Sequence, residues 1–257
     1  MIELKDITYK NDGKIILDKI TFSVKENEKI VLLGINGVGK STLLKIVNGL
    51  IFPSDGRYYY EGQEITEKKL KDKVFNKFFR KNVAMLFQNP DIMIFNPTVY
   101  DEIAFGLKQF DFDKIDERVN YWADIFGISK YLNKSPFDLS GGEKQKVCLA
   151  SILAIEPKVL LLDEPTSNLD PKTTGWLIDF LNELSITMII TTHNLSMAGE
   201  LADRTVVLGE NHRVLYDGKV EDFLKDKDLL IKANLVHIHK HRHNGIHHVH
   251  YHVHDWD

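Results

Sequence analysis

One cysteine in 257 residues, Cys148, excludes an internal disulfide. It lies in a helical apolar pattern, where a small core residue is the ordinary reading, and a reducing cytoplasm suits it. No window approaches the roughly 18 uninterrupted apolar residues that a membrane-spanning helix needs. The opening residues, MIELKDITYK, lack the basic-then-apolar order of a secretory leader, so the chain is expected not to cross a membrane. A basic excess is missing too: Lys and Arg number 33 against 37 Asp and Glu, a net charge of -4, and no nucleic-acid partner is expected. Basic residues do gather between Lys68 and Lys81, which reads as a solvated helix face ahead of a lipid or nucleic-acid patch.

What is present fits one large α/β domain, or at most two modest ones. Residues 2 to 24 alternate apolar and polar in two stretches around Asn11-Asp12-Gly13, an antiparallel hairpin-like start. A short apolar run, KIVLLG, leads into KSTLLKIVNGL, whose apolar residues keep helical spacing. After the strand VAMLF come mostly helical patterns, then the short strands KVLLL and TMII. An α/β core with an inserted helical segment at about 89–155 is expected. Of 11 histidines, nine lie between His237 and His254, which marks a boundary near residue 235: one large domain over 1–234 and a tail over 235–257.

Gly34 to Ser41 read GINGVGKS, the phosphate-loop pattern, between a predicted strand and a predicted helix. Glycines there let backbone N–H groups close on a phosphate, and the helix start adds positive potential. Asn36, Gly37, Gly39, Lys40, Ser41 and Thr42 are the candidate phosphate contacts, with Lys40 reaching the outer phosphates and Ser41 able to ligate Mg2+. The strand VLLL ends in Asp163-Glu164, placing two carboxylates where a parallel sheet opens. Asp163 is the magnesium candidate and Glu164 the general base for water. His193 follows TMIITT, and Gln88 follows VAMLF with an amide able to touch both magnesium and water.

Leu139-Ser140-Gly141-Gly142-Glu143 then opens a helix that stops before Pro157. It resembles the ABC signature LSGGQ. With Asn89-Pro90, Ser167-Asn168-Leu169-Asp170 and Thr192-His193, the order over residues 1 to about 225 is similar to an ABC ATPase. The resemblance implies a P-loop NTPase core of ABC type with an N-terminal antiparallel β subdomain and an inserted helical subdomain. It also implies roles: Tyr9 stacks on adenine, Gln88 forms the Q-loop, Asp170 the D-loop, His193 the switch, and Ser140, Gly141 and Gly142 touch ATP held by a second subunit. The implied mechanism is closure of a head-to-tail pair over two ATP, hydrolysis, and reopening. Glu143 departs from the usual glutamine; its S-x-x-E spacing from Ser140 is that of a capping box.

Phe87 to Asp91, Phe95 to Val99 and Asp101 to Gly106 are similar to the energy-coupling-factor ATPases of vitamin and cobalt or nickel uptake. That resemblance implies a second ATPase subunit, identical or paralogous, a transmembrane coupling subunit, a substrate-binding membrane subunit, and a peripheral location on the cytoplasmic side of the membrane. A vitamin importer and a soluble ABC protein acting on nucleic acid or in cofactor assembly are the rival readings. Cobalt or nickel is favoured as cargo by the tail alone. There, Asn244-Gly245 predicts a hairpin turn, which would pair His241 with His248, His239 with His250 and His237 with His252 on one face. Imidazole pairs at that spacing suit nickel, cobalt or zinc. Two readings stay open, a metal-loaded hairpin and an unordered tail that collects metal adventitiously.

Overall fold

A computed structural model describes residues 1–167, 169–243 and 246–253, with side chains described as far as residue 236. Along the chain come β1 (Ile2–Asn11), β2 (Lys14–Val24), β3 (Lys29–Leu33), α1 (Lys40–Val47), β4 (Asp55–Tyr60) and β5 (Gln63–Glu64). Then follow α2 (Glu67–Leu70), α3 (Lys73–Asn82), β6 (Val83–Leu86), α4 (Val99–Gln109), α5 (Ile115–Ile125) and α6 (Gly141–Leu153). The remainder is β7 (Val159–Asp163), α7 (Pro171–Glu183), β8 (Thr187–Thr191), α8 (Leu195–Leu201), β9 (Arg204–Leu208), β10 (Val214–Lys219), α9 (Val220–Lys225), α10 (Lys227–Lys232), β11 (Val236–His243) and β12 (Ile246–Val253). The chain divides into two compact units, Met1–Thr66 with Ile189–Asp257, and Glu67–Met188.

The first unit holds an antiparallel sheet in the order β2-β1-β4-β5. Strand β1 buries Ile2, Leu4 and Ile7. Strict alternation would have put Ile7 on the other face from Leu4. Asp6, with φ of 50°, supplies the irregularity that keeps both inside, and the register with β2 shifts there. The chain reverses through Asp12 and Gly13, both at positive φ, as an Asp-Gly hairpin turn requires. Elsewhere in this unit β3 runs parallel to β9, and β10 runs antiparallel to β9. Arg204 fixes this edge. Its Nε and Nη2 donate to the two carboxylate oxygens of Asp217 at 2.7 and 2.8 Å, and its Nη1 donates to Glu28 Oε1 and the Ser23 carbonyl. Those partners raise the guanidinium pKa further, Asp217 foremost.

The second unit pairs β6 with β7 in parallel, every residue of both strands buried. The basic stretch read as a solvated helix face is helical over most of its length. Asp72 caps α3 by accepting from the Phe75 N–H at 2.8 Å, and α3 buries Phe79 and Asn82 while its lysines stay outside. The helices of this unit begin at Glu67. Helix α4 passes close to the end of α6 at Gly106, where a Cβ would stand 2.8 Å from Cγ2 of Ile155, two residues past α6.

Backbone pairing joins β11 and β12 antiparallel, from Val236↔Val253 to His243↔Ile246. The expected turn at Asn244-Gly245, the side chains of His237, His239, His241, His248, His250 and His252, and Asn168 of the motif after the acidic pair lie outside the described residues. Among the described residues no helix is long and apolar enough to cross a membrane.

Candidate functional site

In the first unit, β3 is wholly apolar at its end and releases the chain into the glycine loop. Gly34 and Gly39 take φ of 147° and 112°, which L side chains rarely adopt, and Gly39 is hemmed in as well. A Cβ on it would stand 2.7 Å from the Ile16 carbonyl and 2.7 Å from Leu17 Cδ2. Gly39 is also the residue that starts α1, so no side chain caps that helix. By contrast α3, α4, α6, α7 and α8 begin on Asp72, Thr98, Ser140, Asp170 and Asn194, each of which accepts a backbone N–H. A helix start built on glycine suits a phosphate as its acceptor. Lys40 is 6% exposed and its ammonium donates to the carbonyls of Gly34 at 2.7 Å and Ile35 at 3.1 Å, which holds the charge inside the loop.

Tyr9 is half-buried and pairs across the sheet with Leu17, the residue that touches Gly39, so an aromatic ring sits one strand from the loop. His193 follows β8 in a polar turn. The Thr192 hydroxyl accepts from the Asn194 N–H at 3.1 Å, and Asn194 caps α8. No sequence motif marks His212, whose Nδ1 lies 3.3 Å from the Val38 carbonyl of the glycine loop. Its φ of 62° at a turn has no counterpart in periodicity.

In the second unit, the parallel register of Leu86 with Leu162 puts Gln88 and Glu164 each two residues past that pair, at the same ends of neighbouring strands. Asp163 and Glu164 are 5% and 7% exposed, unusual burial for carboxylates. Glu164 adopts φ of 49°, a strained backbone for a residue with a Cβ. Its carbonyl accepts from both the N–H and the hydroxyl of Ser167, which holds the turn. The buried Gln145 amide of α6 donates to the Pro165 carbonyl, tying the signature helix to that same turn. Ser140 starts α6 with the reciprocal cap expected from its spacing. Its N–H donates to Glu143 Oε2 at 2.9 Å and its oxygen accepts from the Glu143 N–H. Gly141 has no positive φ, and a Cβ on it would meet nothing within 4 Å. The fold alone therefore gives no reason for glycine there, whereas close approach of a ligand does.

Asp170 spends its carboxylate on α7, accepting from the N–H groups of Lys172 and Thr173 and from the Thr173 hydroxyl at 2.6 Å. Those bonds, the hydroxyl first, lower its pKa. The loop after Gln88 is clasped by Glu102. This buried carboxylate accepts from the N–H groups of Phe95 and Asn96 at 3.0 and 2.8 Å and from the Asn96 amide at 3.2 Å. The Lys144 ammonium adds an ion pair to Asp91 at 2.8 Å.

Ser41 in the first unit offers a hydroxyl, and Gln88 and Asp163 in the second offer an amide and a carboxylate, each an oxygen donor of the kind that suits Mg2+ rather than a soft metal. Within the first unit, a glycine-started helix and a lysine folded into the loop define a phosphate-binding loop; within the second, an acidic pair and an amide share the same ends of two parallel strands. A family profile described as ABC transporter matches residues 17–167. A Methanosarcina acetivorans protein named as an ABC transporter ATP-binding protein is 43% identical over 252 residues, covering 95% of this chain and 91% of that one. The energy-coupling factor transporter ATP-binding protein EcfA1 of Methanospirillum hungatei is 37% identical, covering 91% of this chain and 85% of its own length. Among solved structures, cbiO1 from Clostridium perfringens, described as part of the ABC transporter complex cbiONQ, superposes with a TM-score of 0.76 at 33% identity, covering 91% of this chain and 94% of that chain. The chain belongs to the ATP-binding subunits of the ABC transporter family, with their α/β P-loop fold, and it is an ATPase.

Proposed function

We propose that this chain is the motor of an energy-coupling-factor importer, working as a head-to-tail pair on the cytoplasmic face of a membrane. The observation that carries the reading is the Gln145 bond between the signature helix and the turn bearing Glu164, because it fastens the part that would meet a second subunit's ATP to the part that would hydrolyse the chain's own. The glycine loop and Lys40 bind the phosphates, Tyr9 the base, and Ser41, Gln88 and Asp163 hold Mg2+. A magnesium ion held there would supply positive charge against the phosphates. Glu164 accepts the proton of the attacking water, His193 supports the outer phosphate, and Ser140, Gly141 and Gly142 close over the partner's nucleotide with Asp170 beside them. A dimer of the ATP-binding cassette MJ0796 with ADP and Pi, 27% identical over 86% of this chain with a TM-score of 0.76, supports working in pairs.

Replacing Glu164 with Gln should cut ATP turnover by roughly 100-fold or more and leave an ATP- and Mg2+-dependent dimer in sedimentation. A variant that stays monomeric at high concentration contradicts the reading.

Cobalt or nickel as cargo is supported by the alternating histidines and by a backbone register that sets positions 237, 239 and 241 opposite 252, 250 and 248. Among the described residues no group of three or more His, Cys, Asp and Glu is placed to hold a metal. Nickel should bind the full chain in calorimetry, and binding should vanish when those six histidines become serine. Equal uptake by both proteins would detach the tail from the cargo.

A further inference from the structure

Glu143 occupies the position where the signature it resembles has glutamine, and its two oxygens are engaged differently. Oε2 accepts from the Ser140 N–H at 2.9 Å and from the Ser140 hydroxyl at 2.8 Å. Oε1 accepts from the Tyr131 hydroxyl, which reaches it from a 3-10 turn over Ser129–Tyr131. An ionised carboxylate has no proton to give, so both hydroxyls must be the donors. These bonds, Tyr131 first, hold the Glu143 carboxyl down at about 2, which keeps it an acceptor throughout the physiological range. The single Ser140 proton is therefore committed within the chain. A serine in that state presents lone pairs outward, which a phosphate oxygen repels.

We propose that Glu143, braced by Tyr131, is a latch on Ser140: the serine hydroxyl donates to a phosphate of the nucleotide on a second subunit only after it leaves the carboxylate. Both are positioning residues, acting through Ser140 and touching no substrate. Glutamine at the same place would cap the helix through its carbonyl oxygen while carrying neither the charge nor so strong an acceptor. The latch raises the ATP concentration needed for pairing, and it resists closure at low nucleotide. This inference rests on the paired, ATP-sharing reading above.

The test uses the full chain in the Glu164→Gln background, alone and with Glu143→Gln, with Tyr131→Phe, and with both. Dimer formation is followed by sedimentation against MgATP, with thermal unfolding as the folding control. Each single variant is expected to lower the ATP concentration at half-dimerisation by roughly three- to thirtyfold, the scale of one weakened charge-assisted hydrogen bond. The double variant should gain little over the better single one, and in the hydrolysis-competent chain KM should fall without a rise in kcat. A response of Glu143→Gln alone would make the charge, not the brace, responsible and overturn the latch. Lowered melting temperatures with unchanged ATP dependence in both would reduce the pair to a helix cap and overturn it as well. A parent that never dimerises overturns the ATP-sharing pair, and the latch with it.

Discussion

The hydrogen bonds and burial around single side chains in this protein decide which protonation state each one keeps. Glu143 is the clearest case for measurement. Its carboxyl is pulled from 4.5 to about 2 by Tyr131 and Ser140, so its stabilising contribution is complete above pH 4.5 and drains away as pH falls toward 2. The melting-temperature gap between the chain and Glu143→Gln should hold constant from pH 9 to 5 and narrow below 4.5; a gap that moved near neutrality would contradict the assignment. The buried Cys148 thiol is pushed the other way, up to about 12 by desolvation, which fits the core role its helical spacing suggested. Residue identity announced Lys40 and the acidic pair because their motifs are local. Nothing announced Tyr131, because its bond to Glu143 spans 12 residues and depends on how a 3-10 turn meets a helix start.

Elements obey the same division between local and distant causes. The strands ending at Leu33, Leu86 and Asp163 could be read from apolar runs, and the starts of α1 and α6 from glycine and serine, since each is encoded within a few residues. Strands β9 and β10 were passed over. Their edge is fixed by Arg204 and Asp217 together with Glu28, a pairing across 176 residues that no window contains. The register break at Asp6 was equally hidden, because a positive φ on aspartate leaves no pattern. Two glycines separate fold from function at this scale. Gly39→Ala forces a strained φ, about 1–3 kcal/mol by itself, into a space already filled by Ile16 and Leu17, and both melting temperature and ATP binding should fall. Gly141→Ala meets open space, so stability should change by no more than about 0.5 kcal/mol, while ATP-dependent dimerisation is lost. Equal destabilisation of both by denaturant titration would show that Gly141 serves the fold.

For the molecule at work, the question is where a membrane partner would take hold. Ile92 and Phe95 are 66% and 59% exposed, on the loop that follows Gln88, and Phe95 meets Phe105 edge to face with centroids 4.8 Å apart. Exposed apolar side chains on a loop anchored at Phe95 and Asn96 by Glu102 are what a docking partner needs. Changing Ile92 and Phe95 to serine should leave the nucleotide-driven dimer of the Glu164→Gln protein intact and abolish copurification with the membrane subunits. Retained copurification would place the docking face elsewhere.

The ion pair between Lys144 and Asp91 gives that arrangement a mechanical meaning. Lys144 stands one residue past the signature on α6, and Asp91 lies three residues past Gln88, so one crossbar spans the region a transporter would push and the region a sister ATPase would grip. A displacement at either end would then have a path to the other that does not pass through the nucleotide. A cargo event in the membrane could thus tighten or loosen the grip on the neighbour's fuel directly.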